Sequence, residues 1–81
     1  MGEPHLRELI EFISRGLVDA PDEVDVQEFD EGDQIVFELH VHPDDMGKVI
    51  GKNGRMARAI RTLLSAAAER EGVHAVLDIV D

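Results

Sequence analysis

The sequence contains no cysteine, tryptophan or tyrosine, and its 8 basic residues are outnumbered by 18 acidic ones. Without cysteine there is no disulfide, no thiolate metal site and no thiol nucleophile. No apolar run approaches the ~18 residues needed to span a membrane. The start, Met1-Gly2-Glu3-Pro4-His5-Leu6, lacks the basic region and apolar stretch of a signal peptide. Position 6 is also not the Ser or Thr of a myristoylation signal. A cytoplasmic protein without membrane contact is therefore expected. Serine occurs only at Ser14 and Ser65, neither in a nucleophile motif. The glycines at 47, 51 and 54 miss the dinucleotide spacing, and no Gly-Lys-Ser/Thr closes a phosphate loop. The expectation is a protein that is not an enzyme and carries no cofactor.

What remains is 81 residues, 43% of them apolar, enough for one small hydrophobic core and hence a single domain over residues 1–81. A net charge of −10 argues at first against a polyanionic partner. Its distribution argues otherwise. From Met46 to Ala68 there is no Asp or Glu, while Lys48, Lys52, Arg55, Arg58 and Arg61 all fall there. Asp19 to Asp33, by contrast, is crowded with carboxylates. Such segregation fits a local anion site, and it also fits an ordinary solvated helix face.

Leu6, Leu9, Ile10, Ile13 and Leu17 recur at the spacing of one helical face, with Pro4 suited to the first turn. Gly16 and Asp19-Ala20-Pro21-Asp22 are expected to end that helix. Val24, Val26 and Phe29 form a short, imperfectly alternating strand, and Asp30-Glu31-Gly32-Asp33 reads as a hairpin turn. From Gln34 to His42 the alternation is clean, with Ile35, Phe37, Leu39 and Val41 on one face. Pro43-Asp44-Asp45 opens a short helix carrying Met46, Val49 and Ile50, its two carboxylates facing the positive end of the dipole. A longer helix follows Gly54, with Met56, Ile60, Leu63, Leu64 and Ala67 on one side and Arg55, Arg58 and Arg61 on the other or flanking it. Gly72 ends it before a last strand, Val73 to Val80. The order is α-β-β-α-α-β: an α+β fold with helices on one face of a three-stranded sheet.

Two helices joined through Gly51-Lys52-Asn53-Gly54 make the most informative feature. Gly51 lets the first helix end in a left-handed turn, and Gly54 clears the turn that opens the next. That opening turn has unpaired N–H groups and the positive dipole end, where a phosphate fits. Lys52 lies in the loop, Arg55 just beyond it and Lys48 one turn before; Ile50, Ala57 and Ile60 offer apolar surface for bases. A bare helix–helix corner would show the same two glycines. His40 and His42, with Asp44 and His74, could suggest a metal, but a closed site needs three or four converging ligands; solvent-facing strand histidines are expected instead, and no metal.

Val49-Ile50-Gly51-Lys52-Asn53-Gly54-Arg55 resembles the Ile-Gly-x-x-Gly core of the KH (K-homology) domain, and the element order resembles its type II, bacterial arrangement. Leu17 to Val24 and Arg61 to Ala68 are similar to the small stand-alone bacterial KH proteins of the KhpA family, so the resemblance covers nearly the whole chain. It implies binding of single-stranded RNA, with about four nucleotides along a groove whose loop clamps the backbone. Gly51, Lys52, Asn53 and Gly54 would be the clamp. Ile50, Ala57 and Ile60 would line the groove with the final strand as far wall, and Lys48, Arg55, Arg58 and Arg61 would surround it. Ala57 is smaller than the aliphatic residue often found there. The scarcity of aromatics fits such a groove better than a sheet that stacks bases on aromatic rings. The resemblance further implies an RNA chaperone or post-transcriptional regulator, and a homodimer or a heterodimer with a larger KhpB-like KH protein. The alternative is a dimerisation or scaffold module with weak RNA binding of its own. The apolar side of the last helix, Leu63, Leu64 and Ala66-Ala67-Ala68, is expected to be shared between core and interface.

Overall fold

The computed structural model describes residues 5–80, so the expected role of Pro4 in the first helical turn lies outside the described residues. Helix α1 spans Leu6–Leu17 and buries Leu6, Ile10 and Ser14. It ends one residue past Gly16, before Asp19-Ala20-Pro21-Asp22, where Val18 turns extended (φ −95°, ψ 162°). Pro21 does not simply break the chain; it opens a 3-10 turn over Pro21–Glu23. Strand β1 (Asp25–Asp30) pairs antiparallel with β2 (Ile35–His40), and β2 pairs parallel with β3 (Ala75–Ile79). The sheet order is β1-β2-β3.

The uneven alternation of β1 has a plain cause in the register. Val26 lies opposite Leu39 on the buried side, whereas Phe29 lies opposite Val36 on the open side, where it is 44% exposed. At the hairpin, Gly32 takes φ +91° and donates its N–H to Asp30 Oδ1 at 2.9 Å. Strand β2 is shorter than its alternation suggested. It stops at His40, because Pro43 starts a 3-10 turn (Pro43–Asp45) whose cap is the His42 Nδ1, accepting the Asp44 N–H at 3.0 Å.

Helix α2 (Met46–Ile50) and α3 (Arg55–Arg70) cross from β2 to β3. α1 lies over β1 and α3 over β3, so all the packing is on one sheet face. Phe37, Leu39, Val26 and Leu77 of the sheet meet Ile10, Val49, Ile60 and Leu64 of the helices in one core. On α3 the buried positions are Ala57, Ile60, Leu64 and Ala68. Leu63, expected on the apolar side, is 53% exposed, one step off that stripe. This is the architecture of the type II KH fold.

Candidate nucleic-acid interface

The bend between α2 and α3 is built from left-handed backbone. Gly51 has φ +77°, Asn53 φ +58° and Gly54 φ +75°, with a 3-10 turn over Lys52–Gly54. Asparagine is among the side chains that enter this region most readily. A Cβ on Gly51 would stand 2.6 Å from Met56 Cβ and 2.7 Å from the Met56 nitrogen. Gly51 is therefore required twice, for its conformation and for the close approach of α3. At Gly54 an added Cβ would meet nothing nearer than Arg58 Nη2 at 4.0 Å, so only the conformation demands glycine.

This geometry turns Lys52 and Asn53 outward, and both side chains are exposed. The turn closes on itself through Gly54 N–H to the Gly51 carbonyl at 3.1 Å. No side chain caps the start of α3, which leaves the positive dipole end open to a ligand. Beside the bend lies an open groove of about 390 Å³, lined by Ile50, Gly54, Ala57, Arg58, Arg61 and Ile79. Ala57 forms its buried floor, and Ile50, 37% exposed, one wall. Among the described residues no carboxylate lines it, and none pairs with Lys52, Arg55, Arg58 or Arg61.

Two residues assigned to the site from sequence sit elsewhere. Ile60 is 1% exposed and belongs to the core, so it does not line the groove. Lys48 does precede the loop by a turn, but its ammonium lies 3.3 Å from Asp19 Oδ2 and 3.8 Å from Asp45 Oδ1. The hydrogen bond and charge of Asp19, with Asp45 behind, hold Lys48 above the ordinary lysine range. Asp45 also departs from its expected dipole role. It is 2% exposed, and its Oδ2 accepts the Ala20 N–H at 3.0 Å, tying the α1–β1 connection to the start of α2. Burial alone would raise this carboxyl. The amides of Ala20 and Asp19, with Lys48 and His42 nearby, outweigh it and hold it below the usual carboxylate range. Nothing in the sequence marks this triad, since Asp19 and Asp45 are far apart along the chain.

Ile79 of β3 lines the groove on the side away from α2. Arg61 Nε donates to the Leu77 carbonyl at 3.3 Å, and Arg58 Nη2 donates to the Asn53 carbonyl at 3.3 Å. His42 serves in its cap, and His40 Nε2 lies 3.5 Å from Glu38 Oε1 without a hydrogen bond. Among the described residues no group of three or more His, Asp or Glu is placed to hold a metal ion. No helix among them is long and apolar enough to cross a membrane.

The family model described as KhpA/KhpB, KH domain, matches residues 7–79. RNA-binding protein KhpA of Halalkalibacterium halodurans is 51% identical over 76 residues, 94% of this chain and 100% of that protein. RNA-binding protein KhpA of Clostridium acetobutylicum is 51% identical over 93% of this chain and all of its own length. In Streptomyces coelicolor the protein of the same name is 49% identical over 94% of this chain and 92% of its own. No solved structure matches the chain.

Proposed function

The chain belongs to the KhpA/KhpB family of KH domains, and from that premise we propose that it binds single-stranded RNA at the bend between α2 and α3. The relatives are named for RNA binding, and the bend supplies the chemistry such a role needs. The observation that carries the reading is the exposed Lys52-Asn53 pair, set between left-handed glycines beside a groove that no carboxylate lines among the described residues. Backbone phosphates lie along Gly51, Lys52, Asn53 and Gly54, steered by Arg55; bases enter the groove over Ala57, between Ile50 and Ile79, with Arg58 and Arg61 at its rim. Lys48 takes no direct part, because its charge is already met by Asp19 and Asp45. In the cell this is the work of a cytoplasmic RNA chaperone or post-transcriptional regulator.

The test is a titration of a short single-stranded RNA at several salt concentrations. About four phosphates at ~0.7 each give a log–log slope of about −3 for the native chain. Replacing Lys52 and Asn53 together with Asp abolishes binding and leaves the fold intact, because both side chains are solvent-exposed. Unchanged binding by that variant would refute the reading.

A second reading has its own support. Leu63 is 53% exposed on α3, with Ala59 and Ala66 also on the surface near it. This stripe suits a dimer, either with a second copy or with a KhpB-like KH protein, in which the chain acts chiefly as a scaffold. Sedimentation of the isolated chain beside the RNA titration separates the two. A dimer indifferent to RNA favours the scaffold.

A further inference from the structure

Two guanidiniums border the groove, and each is held at one end by a backbone carbonyl. The difference lies in which nitrogen is committed. Arg58 uses a terminal nitrogen, Nη2, on the Asn53 carbonyl. Arg61 uses Nε on the Leu77 carbonyl of β3, which leaves both its terminal nitrogens for the groove that it lines. A guanidinium anchored in this way is a planar fork whose direction is set before any ligand arrives.

We propose that Arg61 reads a base, and that the base is guanine. This rests on the RNA-binding reading above and assigns a preference within the same groove. A fork of two donors is matched by two adjacent acceptors on one base edge; guanine presents O6 and N7 side by side, and unpaired cytosine O2 and N3, so the space above the groove floor chooses between them. Adenine sets its N6 amino donor beside N7, so one arm of the fork would meet another donor. No carboxylate among the described residues lines the groove to accept from an amino group instead. The floor supports the choice of a two-ring base. Ala57 projects only a methyl group, which leaves about 390 Å³ between Ile50 and Ile79. The competing role for the same fork is a phosphate, which would also be held by two hydrogen bonds. A phosphate contact carries no preference for any base.

The experiment compares short uridine-rich RNAs carrying one central guanine, adenine or cytosine, with the native chain and with Arg61→Lys. The native chain is expected to favour the guanine oligomer over the adenine one by about tenfold. Lysine keeps the charge but has no fork, so Arg61→Lys brings the two within about twofold. Its salt slope and its affinity for the adenine oligomer stay as they were. Arg70→Lys, at an exposed position in the last turn of α3 away from the groove, retains the guanine preference as a control. The proposal is overturned if the native chain binds all three alike or prefers cytosine. It is equally overturned if Arg61→Lys weakens every oligomer to the same degree, the mark of a phosphate contact that carries no preference for a base. If no oligomer binds at any salt concentration, the RNA-binding reading itself has failed, a result distinct from equal binding to all.

Discussion

Asp45 is a single buried side chain that joins two parts of the fold on either side of the candidate site's first helix. Its buried carboxylate joins the Ala20 amide at 3.0 Å and lies near Lys48, so it holds the start of α2 against the chain leaving α1. Because its folded-state pKa is depressed, this carboxylate stabilises the fold at neutral pH, and the contribution is lost as pH falls through the depressed value. Asp45→Asn should therefore be less stable than the native chain at pH 7, and the gap should narrow on acidification below the usual carboxylate range. Thermal unfolding followed from neutral to strongly acid pH measures both limbs. Lys48 behaves with the opposite sign. Its raised pKa means that its contribution is complete below the ordinary lysine range and fades only above it. At residue scale, then, Lys48 is tied into the scaffold by Asp19 and Asp45 while Lys52 is exposed at the bend, although the sequence presents them as two similar cations four positions apart.

The elements that carry the loop were legible because local chemistry dictates them. The apolar spacing of α1, the alternation of β2 and the glycine pair at 51 and 54 each point to one structure, and each is found. What the sequence hides is set by tertiary contacts. Phe29 looks like a core residue until the register places it opposite Val36 on the open face. Leu63 and Ile60 look alike on a helical wheel, and only the packing of α3 over β3 buries one and exposes the other. The Arg61–Leu77 bond is invisible for the same reason, since a main-chain carbonyl leaves no mark on the sequence. The two loop glycines are distinguishable only in three dimensions, and this yields a prediction. Gly51→Ala combines a disfavoured backbone with a methyl group 2.6 Å from Met56 Cβ, and should cost ~2 kcal/mol or more. Gly54→Ala meets open space and should cost ~1 kcal/mol from backbone conformation alone. Urea unfolding of the two variants checks the order, and equal losses would mean that α3 does not approach Gly51 so closely.

Across the whole molecule, charge and shape restrict where a polyanion can settle. The net charge is −10, and the open sheet face displays Glu38 and Asp78 in register with each other. Lys52, Arg55, Arg58 and Arg61, none of them paired with a carboxylate among the described residues, lie together at the bend and the start of α3. Screening over ~8 Å at physiological salt confines the acidic repulsion to short range, which leaves the basic strip approachable to a polyanion. The most direct measurement of this arrangement is an NMR titration of the native chain with a short single-stranded RNA. Amide signals of Gly51 to Arg55, and of Ala57, Arg58, Arg61 and Ile79 along the groove, are expected to shift first and furthest, with those of β1 and the open sheet face unmoved. Shifts concentrated on the sheet face, or none at the bend while RNA binds, would contradict the account.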